Sequence, residues 1–373
     1  MAVQNNIETA KTYTRTVLIT RFSALGDVAM TIPAAYSACR CYPDTHFVFV
    51  TRPFMTAIFI DPPENLTLVG ADVKENYKGI GGIRRLASEL IVTYHPDKYV
   101  DLHNVLRTRI LAFFLRLKGV RSVRLFKPRA KRRALTRKND KVMLPLISQR
   151  ARYREAFYKA GLPLTTNFNG LFQGRSTAAA DLYAAITEPK PADERWIGIA
   201  PFAAHAGKVY PPEMMEEVVA HFQADADSGT KVRVFLFGGG AKECKILDRW
   251  VSKYSCATSL AGKKYGFKAE IALLNHLDVM LSMDSANMHL SAIAGTPTVS
   301  IWGATHTYCG FKGWHQSESD TIQLPLPCRP CSVFGNKPCY RGDYMCLVGI
   351  RPDMVYAKLI EKINSTSSTP YKN

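Results

Sequence analysis

The chain has 373 residues, with 49 Lys and Arg against 31 Asp and Glu, and a formal net charge of +18. At 47% hydrophobic and 21% charged residues, the composition excludes a disordered, collagen-like or disulfide-scaffold protein. The length is that expected of two domains. The excess positive charge predicts an anionic partner, which could be a phosphorylated substrate, a membrane surface or nucleic acid.

The sequence has no apolar run near the ~20 residues needed to cross a bilayer. The first 15 residues are polar and lack the apolar segment of a secretory signal. The nine cysteines are odd in number, so they cannot all pair in internal disulfides. We therefore expect a soluble, cytoplasmic protein.

The amino-terminal half alternates predicted strands with predicted helices. Strands are expected at 16–20, 46–51 and 98–102, and a helix over 27–41 follows the first of them. This alternation is typical of βαβ units that build a parallel sheet.

A second α/β cycle begins near residue 195. Strands are expected at 196–200, 231–237, 278–283 and 298–302, with helices at 211–223 and 287–294. The sequence thus predicts an α/β protein with two Rossmann-like domains facing each other across a cleft. Its predicted parts are an amino-terminal domain at 14–175, a linker at 176–194, a carboxy-terminal domain at 195–350 and a closing helix at 351–364.

Chemistry is expected in the loops after strands, because open parallel sheets bind ligands at the carboxyl ends of their strands. The loop after the first strand reads Ser23-Ala24-Leu25-Gly26-Asp27. Asp27 is either a cap at the start of a helix or a general base at the mouth of the cleft.

Two loops of the second half could hold a phosphorylated ligand. The loop with Ala203, Ala204 and Lys208 offers backbone amides and one cation for a phosphate, although an ordinary solvated lysine also fits. The glycine triplet 238–240 permits close backbone contact, and Glu243 could accept hydrogen bonds from ribose hydroxyls or be an exposed helical residue.

A third loop carries Asp284 and Ser285, which precede a predicted helix with His289 one turn in. Backbone amides at this helix start, with Ser285 and His289, would form an anion site. A purely structural histidine fits the same pattern.

Taken together, these motifs resemble glycosyltransferase family 9, which contains the lipopolysaccharide heptosyltransferases. The resemblance rests on Ser-x-Leu-Gly-Asp, on Lys-x-aromatic-Pro at 208–211, on the glycine-rich stretch ending at Glu243, and on Asp-Ser-x-x-Met-His-Leu followed by Gly-Thr-Pro. It covers residues 16–363. It implies the GT-B architecture, with the acceptor on the amino-terminal domain and the nucleotide sugar on the carboxy-terminal domain. It also implies that the closing helix at 351–364 packs back across the domain interface.

The resemblance also implies roles for single residues. Asp27 would deprotonate the acceptor hydroxyl, Lys208 would neutralise the departing diphosphate, and Glu243 would hold the ribose. Ser23 would contact the acceptor. The donor-binding residues would be Ala203, Ala204, Lys208, Gly239, Glu243, Tyr265, Asp284, Ser285, Ala286 and His289.

The expected reaction is an inverting, metal-independent transfer from a nucleotide sugar, ADP-heptose, to a lipopolysaccharide core or similar glycolipid, with no cofactor required. Ala203, Ala204, Ala286 and Asn287 depart from common family patterns and leave the donor open. The alternatives are transfer of another sugar, a hexose or N-acetylhexosamine, and a non-catalytic basic binding protein.

The segment 116–141 holds twelve Lys or Arg and a single acid. It is either a solvated loop or a surface for a phosphorylated glycolipid acceptor at the inner face of the cytoplasmic membrane. Nucleic acid is not expected, because Phe126 is the sole interleaved aromatic residue. The acceptor candidates in this segment are Arg129, Lys131, Arg132 and Arg133.

Four cysteines lie close together near the end of the second half, at Cys328, Cys331, Cys339 and Cys346. Four thiolates at this spacing could hold a structural zinc. Reduced or bridged structural cysteines are the alternative.

Overall fold

The computed structural model describes residues 13–165 and 168–367. The polar segment 1–15, in which the sequence shows no secretory signal, lies almost wholly outside these residues. Within the described residues, no helix is both long and apolar enough to cross a membrane.

The amino-terminal half forms a parallel five-stranded sheet, with strand order β3-β2-β1-β4-β5. Thr20, the last residue of β1, pairs with Val50 and with Asp101, so the strands end level with one another. The loops after β1 and β4 are thereby brought side by side. The strands are β1 (Arg15–Thr20), β2 (Thr45–Thr51), β3 (Leu66–Gly70), β4 (Lys98–Asp101) and β5 (Arg121–Arg124).

Six helices belong to this half. The sequence predicts one helix over 27–41, whereas the structure has two, and the second has Pro33 in its first turn. A proline fits only there, because it has no amide to donate inside a helix. The helices are α1 (Leu25–Ala29), α2 (Ile32–Cys41), α3 (Gly79–Tyr94), α4 (Leu106–Arg116), α5 (Arg129–Leu135) and α6 (Gln149–Lys159).

The carboxy-terminal half forms a second parallel sheet of six strands, ordered β11-β10-β9-β6-β7-β8. Ala200 at the end of β6 pairs with Ser282 near the end of β9, so the loops that follow these strands meet. The strands are β6 (Arg195–Ala200), β7 (Val232–Leu236), β8 (Ala257–Ser259), β9 (Val279–Met283), β10 (Thr298–Ile301) and β11 (Thr321–Ile322).

The helices of this half are α7 (Pro212–Asp227), α8 (Ala241–Lys253), α9 (Phe267–His276), α10 (Ala286–Ala294), α11 (Met345–Val348) and α12 (Pro352–Ser367). The two Rossmann-like domains predicted from the sequence are thus confirmed. A continuous buried cluster joins them and includes Val28 of α1, Met288 of α10 and Phe311.

Two segments, the predicted linker and the closing helix, pack differently from what the sequence suggests. In the predicted linker, Tyr183 is buried with its ring against Trp196 and His276 of the second domain. The closing helix α12 buries Val355 and Leu359 beside Val218 of α7. Its apolar stripe therefore lies on the carboxy-terminal domain, although the sequence analysis expects it to pack back across the interface.

Candidate active site

Asp27 lies in the first turn of α1, where the loops after β1 and β4 meet. Its Oδ2 is 2.7 Å from Arg21 Nη2 and accepts a hydrogen bond of 3.2 Å from the Ala24 amide. The carboxylate therefore does cap the helix, as one of the two sequence interpretations has it. It also lines a cavity between the domains and keeps 22% of its side-chain surface exposed.

The surroundings of Asp27 favour its charged form. Burial alone would raise the pKa of this carboxyl, but the Arg21 guanidinium, the Ala24 amide and His289 outweigh it and lower the pKa. Arg21 is itself held by a 2.8 Å hydrogen bond from Nη1 to the Leu102 carbonyl. The result is an ionised carboxylate in a fixed position, which is the form that accepts a proton.

The cavity at Asp27 has a volume of about 210 Å³. Phe311 and Phe334 of the carboxy-terminal domain close one side, so both domains contribute to it. Several cations face the single carboxylate. The lining residues are Arg21, Ser23, Ala24, Asp27, His103, Leu125, Lys127, Arg132, Gln149, Arg152, Phe311 and Phe334.

Of the four basic acceptor candidates, only Arg132 reaches this cavity. Its guanidinium lies over the rings of Phe311 and Phe334, at 5.8 and 5.5 Å from their centroids. The other three candidates are exposed on α5, the helix that replaces the turn-rich segment expected from the sequence; they are Arg129, Lys131 and Arg133.

Four ionisable residues of the cavity were not among the candidates from the sequence. Arg21, His103 and Lys127 each follow a strand within three residues, and that position was the available signal. Burial, together with Arg21 and Arg132, lowers the pKa of Lys127 to about 8. Burial, with Arg21 and Lys127, lowers the pKa of His103 to about 3, so this imidazole is neutral. The fourth residue is Arg152 on α6, for which the sequence offered no signal.

On the carboxy-terminal side, Lys208 and Asp284 form an ion pair of 2.8 Å between Nζ and Oδ2. The Asp284 side chain is only 4% exposed. Gly335 has a φ of +74°, and a Cβ there would lie 2.6 Å from the Lys208 Cγ, so only glycine fits beside the lysine stem. The lysine is therefore held in one position without a ligand.

His289 of α10 packs against Gly26, and its imidazole is influenced by the charges of Asp27 and of the Lys208–Asp284 pair. Burial lowers its pKa to about 4, although the charges of Asp284 and Asp27 act in the opposite direction. Its Nδ1 is buried and has no hydrogen-bond partner among the described residues. Because the charges of Asp27, Asp284 and Lys208 all act on this one imidazole, the acceptor-side and donor-side groups are close neighbours.

Gly26 explains how the two domains come so close. A Cβ at this position would lie 2.8 Å from His289 Cδ2 and 3.2 Å from the Ala286 Cα. The glycine of the Ser-x-Leu-Gly-Asp motif is thus needed for contact between α1 and the start of α10. Ser285 precedes α10, with its Oγ 3.2 Å from Ser282 Oγ.

The remaining donor candidates lie on neighbouring loops of the same sheet edge. Glu243 Oε2 accepts a 2.7 Å hydrogen bond from the Gly239 amide, which orders the glycine-rich loop. Ala203 packs on the core of the carboxy-terminal domain and Ala204 is exposed. Tyr265 is half-buried and packs against the cluster that joins the domains.

The four clustered cysteines all line one cavity of about 10 Å³; they are Cys328, Cys331, Cys339 and Cys346. All are unbridged, and burial raises the pKa of Cys346 to about 11. In the part of the chain that the structure describes, no group of three or more His, Cys, Asp or Glu is arranged to hold a metal ion.

Comparison with known proteins finds relatives in sequence and in fold. The chain is 21% identical over 339 residues to lipooligosaccharide heptosyltransferase 2 of Campylobacter jejuni, covering 89% of this chain and 93% of that one. The fold matches a glycosyl transferase family 9 structure from Veillonella parvula, with a TM-score of 0.69 and 17% identity over 94% of this chain and 98% of that one.

A second solved structure, the ADP-heptose lps heptosyltransferase II of E. coli, matches with a TM-score of 0.66 and 16% identity, covering 95% of this chain and all of that one. The two facing domains have the GT-B fold expected from the resemblance. The model of glycosyltransferase family 9 (heptosyltransferase) matches residues 84–337. That match spans well over half of the sequence, and the chain therefore belongs to glycosyltransferase family 9.

Proposed function

We propose that this protein transfers heptose from ADP-heptose to a hydroxyl of a lipopolysaccharide-core or similar glycolipid, with inversion in one displacement. The observation that carries the proposal is that His289 packs against Gly26, the residue before Asp27, while the charges of Asp27 and of the Lys208–Asp284 pair act on its imidazole. The names of the relatives from C. jejuni and E. coli support heptose as the sugar and ADP as its carrier.

In the proposed reaction, Asp27 accepts the proton of the acceptor hydroxyl while the oxygen of that hydroxyl attacks the anomeric carbon. The bond from that carbon to the diphosphate breaks on the opposite face, and its electron pair leaves with the phosphate oxygen. Lys208 and the amides at the start of α10 stabilise the charge that develops there.

Asp284 acts on this reaction through Lys208. A buried carboxylate repels a diphosphate, so direct contact with the donor is unfavourable. Its 2.8 Å pair with Lys208 instead holds the ammonium where the leaving group departs. We therefore assign Asp284 a positioning role, which refines its expected place among the donor-binding residues.

We infer that the transfer needs no metal ion, because Lys208 and the α10 amides supply the positive charge that the departing diphosphate requires. Turnover in excess EDTA should equal turnover in its absence. A loss that Mg²⁺ or Mn²⁺ restores would contradict this. Zinc analysis of the purified protein tests separately whether the four clustered thiols bind a structural ion.

We also propose peripheral contact with an anionic membrane. Arg129, Lys131 and Arg133 are exposed on α5, and the segment after it exposes Val142, Met143, Leu144 and Ile147, with Leu144 at 66%. Exposed apolar side chains next to a cationic helix suit the interface of an anionic bilayer.

Vesicle sedimentation tests this contact. Replacing all three cations by Ser should weaken binding to phosphatidylglycerol vesicles by about tenfold or more, since each contributes about 1 kcal/mol near such a surface. Phosphatidylcholine vesicles are the control. Equal binding of the variant and the parent protein to the anionic vesicles would contradict the proposal.

The transferase activity is tested with nucleotides and with Asp27→Asn. ADP and ADP-heptose should raise the melting temperature more than GDP, UDP or their sugars, because binding to the native state stabilises it. Asp27→Asn should lower kcat by about 10²- to 10⁴-fold and leave ADP affinity unchanged. Full turnover in this variant, or no response to any nucleotide at millimolar concentration, would refute the proposal.

A further inference from the structure

The cavity at Asp27 contains a cation that the proposed mechanism does not use. Arg152 of α6 is 1% exposed and lines this cavity. Its Nε, Nη1 and Nη2 all lack a hydrogen-bond partner among the described residues. Burying a guanidinium whose donors make no hydrogen bonds lowers the stability of the fold, unless a ligand accepts those hydrogen bonds.

Neighbouring donors in the cavity are also unsatisfied. Gln149 lies 2% exposed on the same helix, and its Nε2 has no partner within the described chain. The same holds for Nε of Arg132. The residues that carry these nitrogens lie on α5 and α6 of the amino-terminal domain, and all of them line one cavity of about 210 Å³.

The charges around this cavity do not balance. Arg21 is paired with Asp27, and within the described residues no ion pair joins Lys127, Arg132 or Arg152 to an opposite charge. Burial, and then Arg132, lowers the pKa of Arg152 to about 10, although the charge of Asp27 acts in the opposite direction.

We propose that Arg152 binds an anionic group of the acceptor, a phosphate or a carboxylate, carried by the same sugar whose hydroxyl faces Asp27. This inference deepens the proposed function and rests on it. Arg152 then selects for charged acceptor sugars and orients the hydroxyl toward the base, with Arg132, Lys127 and Gln149 as further donors. The exposed cations of α5 are separate from this site.

Small sugars that differ only in their charge test the assignment. Glucose 6-phosphate, glucuronate and glucose are compared by ligand-observed NMR titration of the whole protein. At least one of the two anionic sugars should bind more tightly than glucose, and which one does identifies the group as phosphate or carboxylate. Equal binding of all three would overturn the proposal.

Variants separate a binding role from a structural one. Arg152→Met should weaken binding of the anionic sugar by about tenfold to a hundredfold, and Arg152→Lys by less. Because an unpaired buried charge is removed, the Met variant should melt at the same temperature as the parent or higher. Arg133→Met, at an exposed position on α5, is the matched control and should bind like the parent.

Two results decide against the proposal. One is parent-like binding of anionic sugars by Arg152→Met. The other is a large fall in melting temperature for both Arg152 variants, which would show that the guanidinium holds the fold together. ADP affinity, measured on the same samples, separates this proposal from the proposed function. If the protein does not bind ADP, the transferase proposal is refuted, but binding of anionic sugars at Arg152 is not.

Discussion

The buried cations on the two sides of the interdomain site differ in whether they have a partner of opposite charge. Lys208 on the carboxy-terminal side is paired with Asp284 at 2.8 Å. On the amino-terminal side, none of the three Arg152 nitrogens has a hydrogen-bond partner in the part of the chain that the structure describes. A paired cation keeps its position without a ligand. An unpaired one is completed only when an anion arrives, and until then it lowers the stability of the fold. Under the two proposals, Lys208 is a cation whose position is fixed before the donor binds, whereas Arg152 is a cation that selects an anionic acceptor.

Among the substitutions that test this difference between the two cations, Lys208→Met should have the largest effect. The variant leaves the buried Asp284 carboxylate unpaired, so the free energy of unfolding should fall by about 3 kcal/mol. We also expect kcat to fall by about 10²- to 10³-fold, the loss typical when a group that stabilises transition-state charge is removed. Denaturant unfolding and steady-state kinetics measure the two effects.

The double variant Lys208→Met with Asp284→Asn is the control for this prediction. It removes the unpaired charge, and it should therefore regain most of the stability but none of the rate. If the single variant were as stable as the parent, the pair would not hold Lys208 in the way described.

The second prediction concerns His289, which packs against Gly26. Its pKa is about 4 in the folded protein, against an ordinary value of 6.5. The unfolded chain therefore takes up a proton as the pH falls through this window while the folded protein does not. The free energy of unfolding should fall by about 3 kcal/mol from this group between pH 6.5 and 4.

Comparison with His289→Leu isolates that contribution, because burial also lowers the pKa of His103 and of His306 and gives them the same sign. In this variant, the slope of the free energy of unfolding against pH should correspond to the uptake of roughly one proton fewer on unfolding. An unchanged slope in His289→Leu would contradict the burial of a neutral imidazole.

The smallest effect is expected for Gly26→Ala, which tests how closely the two sides must approach. The added Cβ meets His289 Cδ2 at 2.8 Å, so α1 and α10 must move apart by a fraction of an ångström. Such a displacement should lower kcat by about tenfold. Gly81→Ala in α3 is the matched control, since its Cβ meets nothing within 4 Å. Equal rates for the two variants would contradict the close approach.

Much of the fold could be predicted from the sequence, because its signals are local. Short β-branched runs followed by loops and helical patterns predict parallel strands, and Asp27, Lys208 and Asp284 were recognised from their places after such strands. The two closely spaced helices α1 and α2 were read as one. Pro33, which lies in the first turn of α2, is compatible with that position in a helix and gave no clear break.

The composition of the acceptor cavity could not be predicted in the same way. Arg129, Lys131, Arg132 and Arg133 are indistinguishable as a run of charges, yet Arg132 alone turns toward the rings of Phe311 and Phe334. That selection depends on side chains from the other domain. Arg152 belongs to a predominantly polar helix, and its burial follows from where α6 packs rather than from its neighbours in the chain.

The sequence by itself determined the two α/β domains and the loops that carry Asp27 and Lys208, because strand periodicity and loop position are properties of short segments. The tertiary structure alone decided that Lys208 meets Asp284, that Arg152 stays unpaired, and that α12 packs on its own domain. Those outcomes depend on contacts between residues far apart in the chain. No local sequence pattern shows which buried charged residue will lie next to one of opposite charge.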